Sequence, residues 1–180
     1  FKKDILKRIE VEGDILDSSY FAYFEETDMC HRVWLAGYRI VYAYKSVIFH
    51  KMGATSSSLN NAFVQYHSFK NRINSYSKNL GTRLFWQILP FHIFLSICMA
   101  WYMLFRGKFS IWLAIHRAIW WNIRSLRRTR KKRKIIQQHI RAFADDQLQE
   151  KIMRYPSYRY YQSFLTGSFD YKDNGLSHRT

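Results

Sequence analysis

The sequence predicts an α/β region, followed by apolar, membrane-associated helices and a basic helical tail. Three observations carry that expectation. RIVYAY, Arg39 to Tyr44, is rich in β-branched and aromatic residues and follows a helix-like stretch that ends at Gly37. LFWQILPFHIFLSICMAWYMLF, Leu84 to Phe105, has no formal charge and is long enough for a bilayer core, which needs roughly 20 residues. RSLRRTRKKRK, Arg124 to Lys134, is too highly charged to be expected in a core. Composition divides the chain accordingly at 1–82, 83–124 and 125–180.

In order along the chain, Glu25 to Ala36 reads as a short helix and Arg39 to Tyr44 as a strand. Val47 to His50 reads as a second short strand, and GATSSS as a loop. Leu59 to Asn79 reads as an amphipathic helix. Phe63, Tyr66, Phe69, Ile73 and Tyr76 fall near one stripe, and Lys70, Asn71, Arg72 and Lys78 on the other face. Arg106-Gly107-Lys108 separates the first apolar segment from a second, FSIWLAIHRAIWWNI, whose three tryptophans suit a membrane interface. Ala144 to Ile152 starts like a capped helix at Asp145. The aromatic and polar stretch from Tyr155 onward suggests no function.

The 180 residues carry a formal net charge of +16, which calls for an anionic partner. Because the basic run directly follows an apolar, Trp-rich segment, anionic membrane lipid is the expected partner and nucleic acid is not. Cys30 and Cys98 show no metal-ligand spacing, and a disulfide framework is not expected. The chain opens on FKKDILKRIE, with no Met and no signal-peptide core, and reads as a fragment. There is no internal repeat, no Gly-rich phosphate loop and no zinc-ligand spacing.

The candidate site is the acidic cluster Glu25, Glu26 and Asp28, with Arg32. On a helix, Glu25, Asp28 and Arg32 share a face, while Glu26 points about 100° away. Two readings stay open from the charge pattern. One is an acidic first turn complementing the helix dipole. The other is a carboxylate aimed at a cleft, where it can take a proton from an attacking hydroxyl. His50, at a strand end, reads either as a hydrogen-bonded structural residue or as a metal ligand.

YFAYFEETDMCHR, LAGYRIVYAY and VIFHKMGATSS, in that order, resemble the C-terminal half of a family 2 glycosyltransferase catalytic domain, of the rhamnosyltransferase-like branch that builds bacterial surface polysaccharides. The matching positions are Phe21, Tyr23, Glu25, Glu26, Asp28, Met29, Arg32, Ala36, Gly37, Tyr38 and His50. HSFKNRI, His67 to Ile73, is similar to the family's basic-Asn-Arg segment, and Arg117 to Lys134 to its membrane-proximal tail. The resemblance implies a GT-A fold and an inverting transfer from a nucleotide-diphosphate sugar to a surface-polysaccharide or lipid-linked acceptor. It implies Mg²⁺ or Mn²⁺, with His50 helping to hold the metal or the diphosphate. Glu26 stands where the family has the Asp that serves as catalytic base. Glu25 is its neighbour in the same motif, and Asp28 and Arg32 would orient the helix. The family's nucleotide-binding strands and Asp-x-Asp have no counterpart in the chain, which again reads as a C-terminal fragment. The alternative is a non-enzymatic module that anchors to membranes or binds nucleic acid.

Basic flanks on both sides of the apolar segments place both ends on the cytoplasmic face of the cell membrane. The segments between are then expected to form a shallow hairpin or to lie in the interface, turning near Arg106-Gly107-Lys108.

Overall fold

The computed structural model describes residues 2–41, 43, 45–47 and 61–152. The chain divides into a body, Phe1–Leu148, and a second unit, Gln149–Thr180, of which only the end of the last helix is described. In chain order the helices are α1 (Lys3–Arg8), α2 (Glu25–Leu35), α3 (Asn61–Asn79), α4 (Thr82–Phe105), α5 (Phe109–Arg124), α6 (Leu126–Ile135) and α7 (Asp145–Ile152). A π-helical turn, Ile136–Ile140, extends α6.

The α/β GT-A expectation is therefore wrong for this chain. Among the described residues there is no strand, only an isolated bridge between Val11 and Asp14. Arg39, Ile40, Val41 and Ala43 belong to the run expected as a strand, yet none is in one, and Val41 is 82% exposed. Strand-forming side chains need a paired neighbour and a buried face, and the described residues of this run are in no strand and none is buried. The second expected strand and the GATSSS loop lie largely or wholly outside the described residues, as does His50.

α3 is the hub of the body, packing on α2, α4, α5, α6 and the π turn. Its polar face is not a solvent face: Lys70, Asn71 and Lys78 are buried, whereas Ile73 is the only buried member of the expected aromatic stripe. α4 and α5 form an antiparallel hairpin through Gly107, whose φ of 72° suits a residue without Cβ. Ala100, Ile111 and Ile115 form its buried core, with Phe69 of α3 packed against them. α6 is not fully solvated either, since Thr129 and Lys132 are buried.

Asp145 begins α7, and its carboxylate also serves the start of α4. Gly81 N–H donates to Oδ1 at 3.1 Å and Leu84 N–H to Oδ2 at 3.2 Å, satisfying two donors that the first turn of α4 leaves open. Gly81 has no room for a Cβ, which would collide with that carboxylate.

Candidate active site

The acidic cluster is built from a loop strapped to α3. Lys70 Nζ donates to Ser19 O at 2.8 Å. Asn71 Nδ2 donates to Ala22 O at 2.8 Å and to Tyr23 O at 2.7 Å. Tyr20 donates its phenol proton to Asn74 Oδ1 at 2.9 Å, and Asn74 in turn donates to Thr129 Oγ1 of α6 at 2.9 Å. The loop ends in two consecutive left-handed residues, Tyr23 (φ 67°) and Phe24 (φ 73°), directly before Glu25. Neither is glycine, and such positions cost on the order of 1–3 kcal/mol each unless the surroundings enforce them. The Asn71 amide, with two carbonyls of that turn in its grip, is the enforcing contact.

Behind the turn lies a buried ionic cluster. Asp28 is fully buried. It accepts from Arg32 Nε at 3.3 Å and Asn79 Nδ2 at 2.7 Å, and pairs with Lys78 Nζ at 3.1 Å. Arg32 spends the rest of its guanidinium on the carbonyls of Ile9 and Ile15. Asp17 pairs with Lys78 and, at 2.7 Å, with Lys132. Burial pushes the Asp17 carboxyl up. The Lys78 charge and hydrogen bonds from Lys132, Lys78 and Ser19 outweigh it and hold the group far below the usual carboxylate range. Two carboxylates thus face three cations, and all five side chains are buried.

α2 separates its acids by role. Asp28 and Arg32 point into this cluster and are consumed there. Glu25 is partly buried, and its Oε2 is buried without a hydrogen-bond partner. Glu26 is exposed. Among the described residues, neither Glu25 nor Glu26 at the first turn of α2 joins this cluster.

Among the described residues no group of His, Cys, Asp and Glu fits Mg²⁺ or Mn²⁺. The carboxylates that do converge, Asp17 and Asp28, are already neutralised by Lys78, Lys132 and Arg32.

Sequence patterning missed Asp17, Lys78, Asn79, Lys132 and the Asn71 clamp. The signal was present in α3: Asn71, Asn74, Ser75, Lys78 and Asn79 recur at three- and four-residue steps, a polar stripe with its own helical period. Compared with protein-family models, curated proteins and solved structures, the chain finds no match.

Proposed function

We propose that this chain is the membrane-associated part of an inverting glycosyltransferase, with Glu26 as the base. The observation that carries this reading is the pair of left-handed residues, Tyr23 and Phe24, clamped by Asn71 immediately before two glutamates that join no ion pair among the described residues. Strain retained against a backbone preference, at the start of a helix fixed by buried ion pairs, is a way to hold a reactive group in place. A solvent-facing acidic first turn has no need of it.

In the step proposed, a Glu26 carboxylate oxygen takes the proton of an acceptor hydroxyl. The hydroxyl oxygen attacks the anomeric carbon of a nucleotide-diphosphate sugar. The bond from that carbon to the diphosphate oxygen breaks, and the diphosphate leaves with the electron pair, inverting the anomeric centre. Glu25 is the base's neighbour in the chain, and its buried Oε2 has no hydrogen-bond partner among the described residues. No step is assigned to a metal. The donor is a cytoplasmic metabolite, which puts the reaction on the cytoplasmic face of the cell membrane, with a saccharide or lipid-linked acceptor.

Among the described residues one helix, Thr82–Phe105, is long and apolar enough to cross a membrane. That feature and the exposed basic side chains of α6 also favour a second reading, a non-enzymatic membrane anchor. Transfer assays separate the two. The enzyme carrying this segment should transfer label from UDP-, GDP- or dTDP-hexoses to acceptors in a membrane extract. Glu26→Gln should lower that rate roughly 10²–10⁴-fold with little change in donor binding. A rate within a factor of two of the parent rules Glu26 out as base, and absence of transfer with every donor favours the anchor.

A further inference from the structure

α4 passes the length and apolarity test for a membrane span, but its neighbours dictate how it meets lipid. α3 serves as a ruler. Its Phe69 packs against Ala100, Ile111 and Ile115, and its Lys70 carbonyl accepts from Asn122 of α5 at 3.0 Å. Further along, the Tyr76 ring stands 5.3 Å from His92 of α4, and Asn74 meets Thr129 of α6. At the end of the ruler, Leu80 O accepts from Arg133 of α6, whose guanidinium lies 4.9 Å from the Phe85 ring of α4. The first part of α4, Thr82 to about His92, is therefore level with the basic helix, and only the remainder is level with α5.

That register excludes a full crossing. To put all of α4 in hydrocarbon, the chain would have to carry the exposed Arg127, Arg128, Arg130 and Lys134 in beside it. Tip-first insertion of the hairpin is no better, because exposed Arg106 and Lys108 flank the turn and would sit deepest. The outward face of α4 offers a third arrangement. Trp86, Phe91, Phe94, Leu95, Tyr102 and Phe105 are all exposed, from 46% to 84%, and run the length of a helix of about 36 Å at 1.5 Å per residue. Arg106 stands at one end and Arg83, which shares an exposed ion pair with Asp146, at the other, where long basic side chains reach headgroups.

We propose that α4 lies flat in the interface of a single leaflet, its outward face among the acyl chains, with exposed arginines of α6 and the ends of α4 on headgroup phosphates. The occupant of this surface is an anionic phospholipid leaflet. An exposed aromatic face on α4, with basic side chains at its ends and on the helix level with its start, matches acyl chains and phosphates. The inference stands whether or not the chain transfers sugar.

The test uses the full chain with Cys30→Ser, so that native Cys98, exposed on the outward face, carries a nitroxide. Further variants add Cys98→Ser and place the label at Gln87→Cys, Leu95→Cys, Tyr102→Cys or Lys108→Cys. Depth is read from oxygen against nickel-complex accessibility on phosphatidylcholine vesicles containing phosphatidylglycerol. Flat seating gives one shallow depth at 87, 95, 98 and 102, with the label at 108 at headgroup level on the side of addition. It also predicts that omitting phosphatidylglycerol weakens binding by about tenfold or more. A depth maximum near residue 95 with position 108 in water on the far side would overturn the proposal in favour of a crossing. Depth increasing steadily from 87 to 108 overturns it in favour of tip-first insertion. Failure to bind anionic vesicles overturns it outright.

Discussion

The two ends of the α3–α4–α5 layer invert the usual distribution of side chains. At the C-terminal end of α3 the buried side chains are ionic and amide groups: Asp17, Asp28, Arg32, Lys78, Asn79 and Lys132. Along α4 and α5 the exposed ones are large and apolar, Phe105 at 84% and Trp86 at 68% among them. The two regions solve opposite problems. The polar end must hold its backbone turns in one arrangement, and charge pairs with carbonyl and carboxylate partners specify geometry more narrowly than apolar packing does. At the apolar end the outer face of α4 is exposed, and lipid is the partner proposed for it. Charges inside set shape; apolar groups outside set location.

The largest expected effect breaks the polar end. Lys78 bridges Asp17 and Asp28. Lys78→Met leaves both carboxylates short of a counter-charge, and removing one partner of a buried pair typically costs about 3–5 kcal/mol. Denaturant unfolding in detergent should show a loss of that size. A loss under about 1 kcal/mol would mean that the cluster is not closed to solvent.

Gly81→Ala comes next. The added methyl must displace the Asp145 carboxylate that caps the start of α4, with an expected cost of about 1–3 kcal/mol, as for overpacking. Asp145→Asn in the same background should soften the clash only slightly, since the amide fills the same volume.

Acid should attack the polar end in two stages. The surrounding protein desolvates the ring of His31 and pushes it down to about 4, against the opposing charge of Asp28. The unfolded ring takes its proton near pH 6.5 and the folded one does not, so stability falls as pH drops from about 6.5 toward 4. Asp17 is depressed as well. Its ionised form adds stability above its unfolded value of about 3.9, and that contribution disappears as pH falls further. Burial also pushes His92 down to about 4 and lowers His67, so His31→Gln should reduce the first slope without abolishing it and leave the second. An unchanged first slope in that variant would assign it to another group.

The smallest effect on stability belongs to the apolar end. Phe105→Ser, at an 84% exposed position, should change unfolding in detergent by about 0.5 kcal/mol or less while reducing partitioning into anionic vesicles. A large stability loss would place a protein contact there instead of lipid.

Much of this was legible in the sequence, and the remainder failed for identifiable reasons. Helical spacing put Glu25, Asp28 and Arg32 on one face and Glu26 on another, and α2 has that arrangement. The break at Arg106-Gly107-Lys108 marks the hairpin turn. RIVYAY misled because β-propensity describes a side chain's fit to a pleated surface, and among the described residues no such surface exists. Lys70 and Lys78 are expected only on the face opposite the aromatic stripe, and Lys132 in a run too charged for a core, yet all three are buried. Their partners Ser19, Asp17 and Asp28 are 50 or more residues away in sequence, beyond any local pattern.

The central claim is that the Asn71 clamp on the Tyr23-Phe24 turn positions Glu26 for proton removal. On the proposed transferase reading, the most direct test is the turnover of Asn71→Ala, read together with its stability and that of Asn71→Ala/Tyr23→Gly. Glycine adopts the left-handed conformation without penalty, so the double variant should recover part of the folding stability lost in the single one. The prediction is that Asn71→Ala lowers kcat by about tenfold or more with KM for the donor little changed, and that the double variant regains stability without regaining kcat. A stability loss in Asn71→Ala with kcat intact would contradict the claim and leave the clamp with a structural role alone.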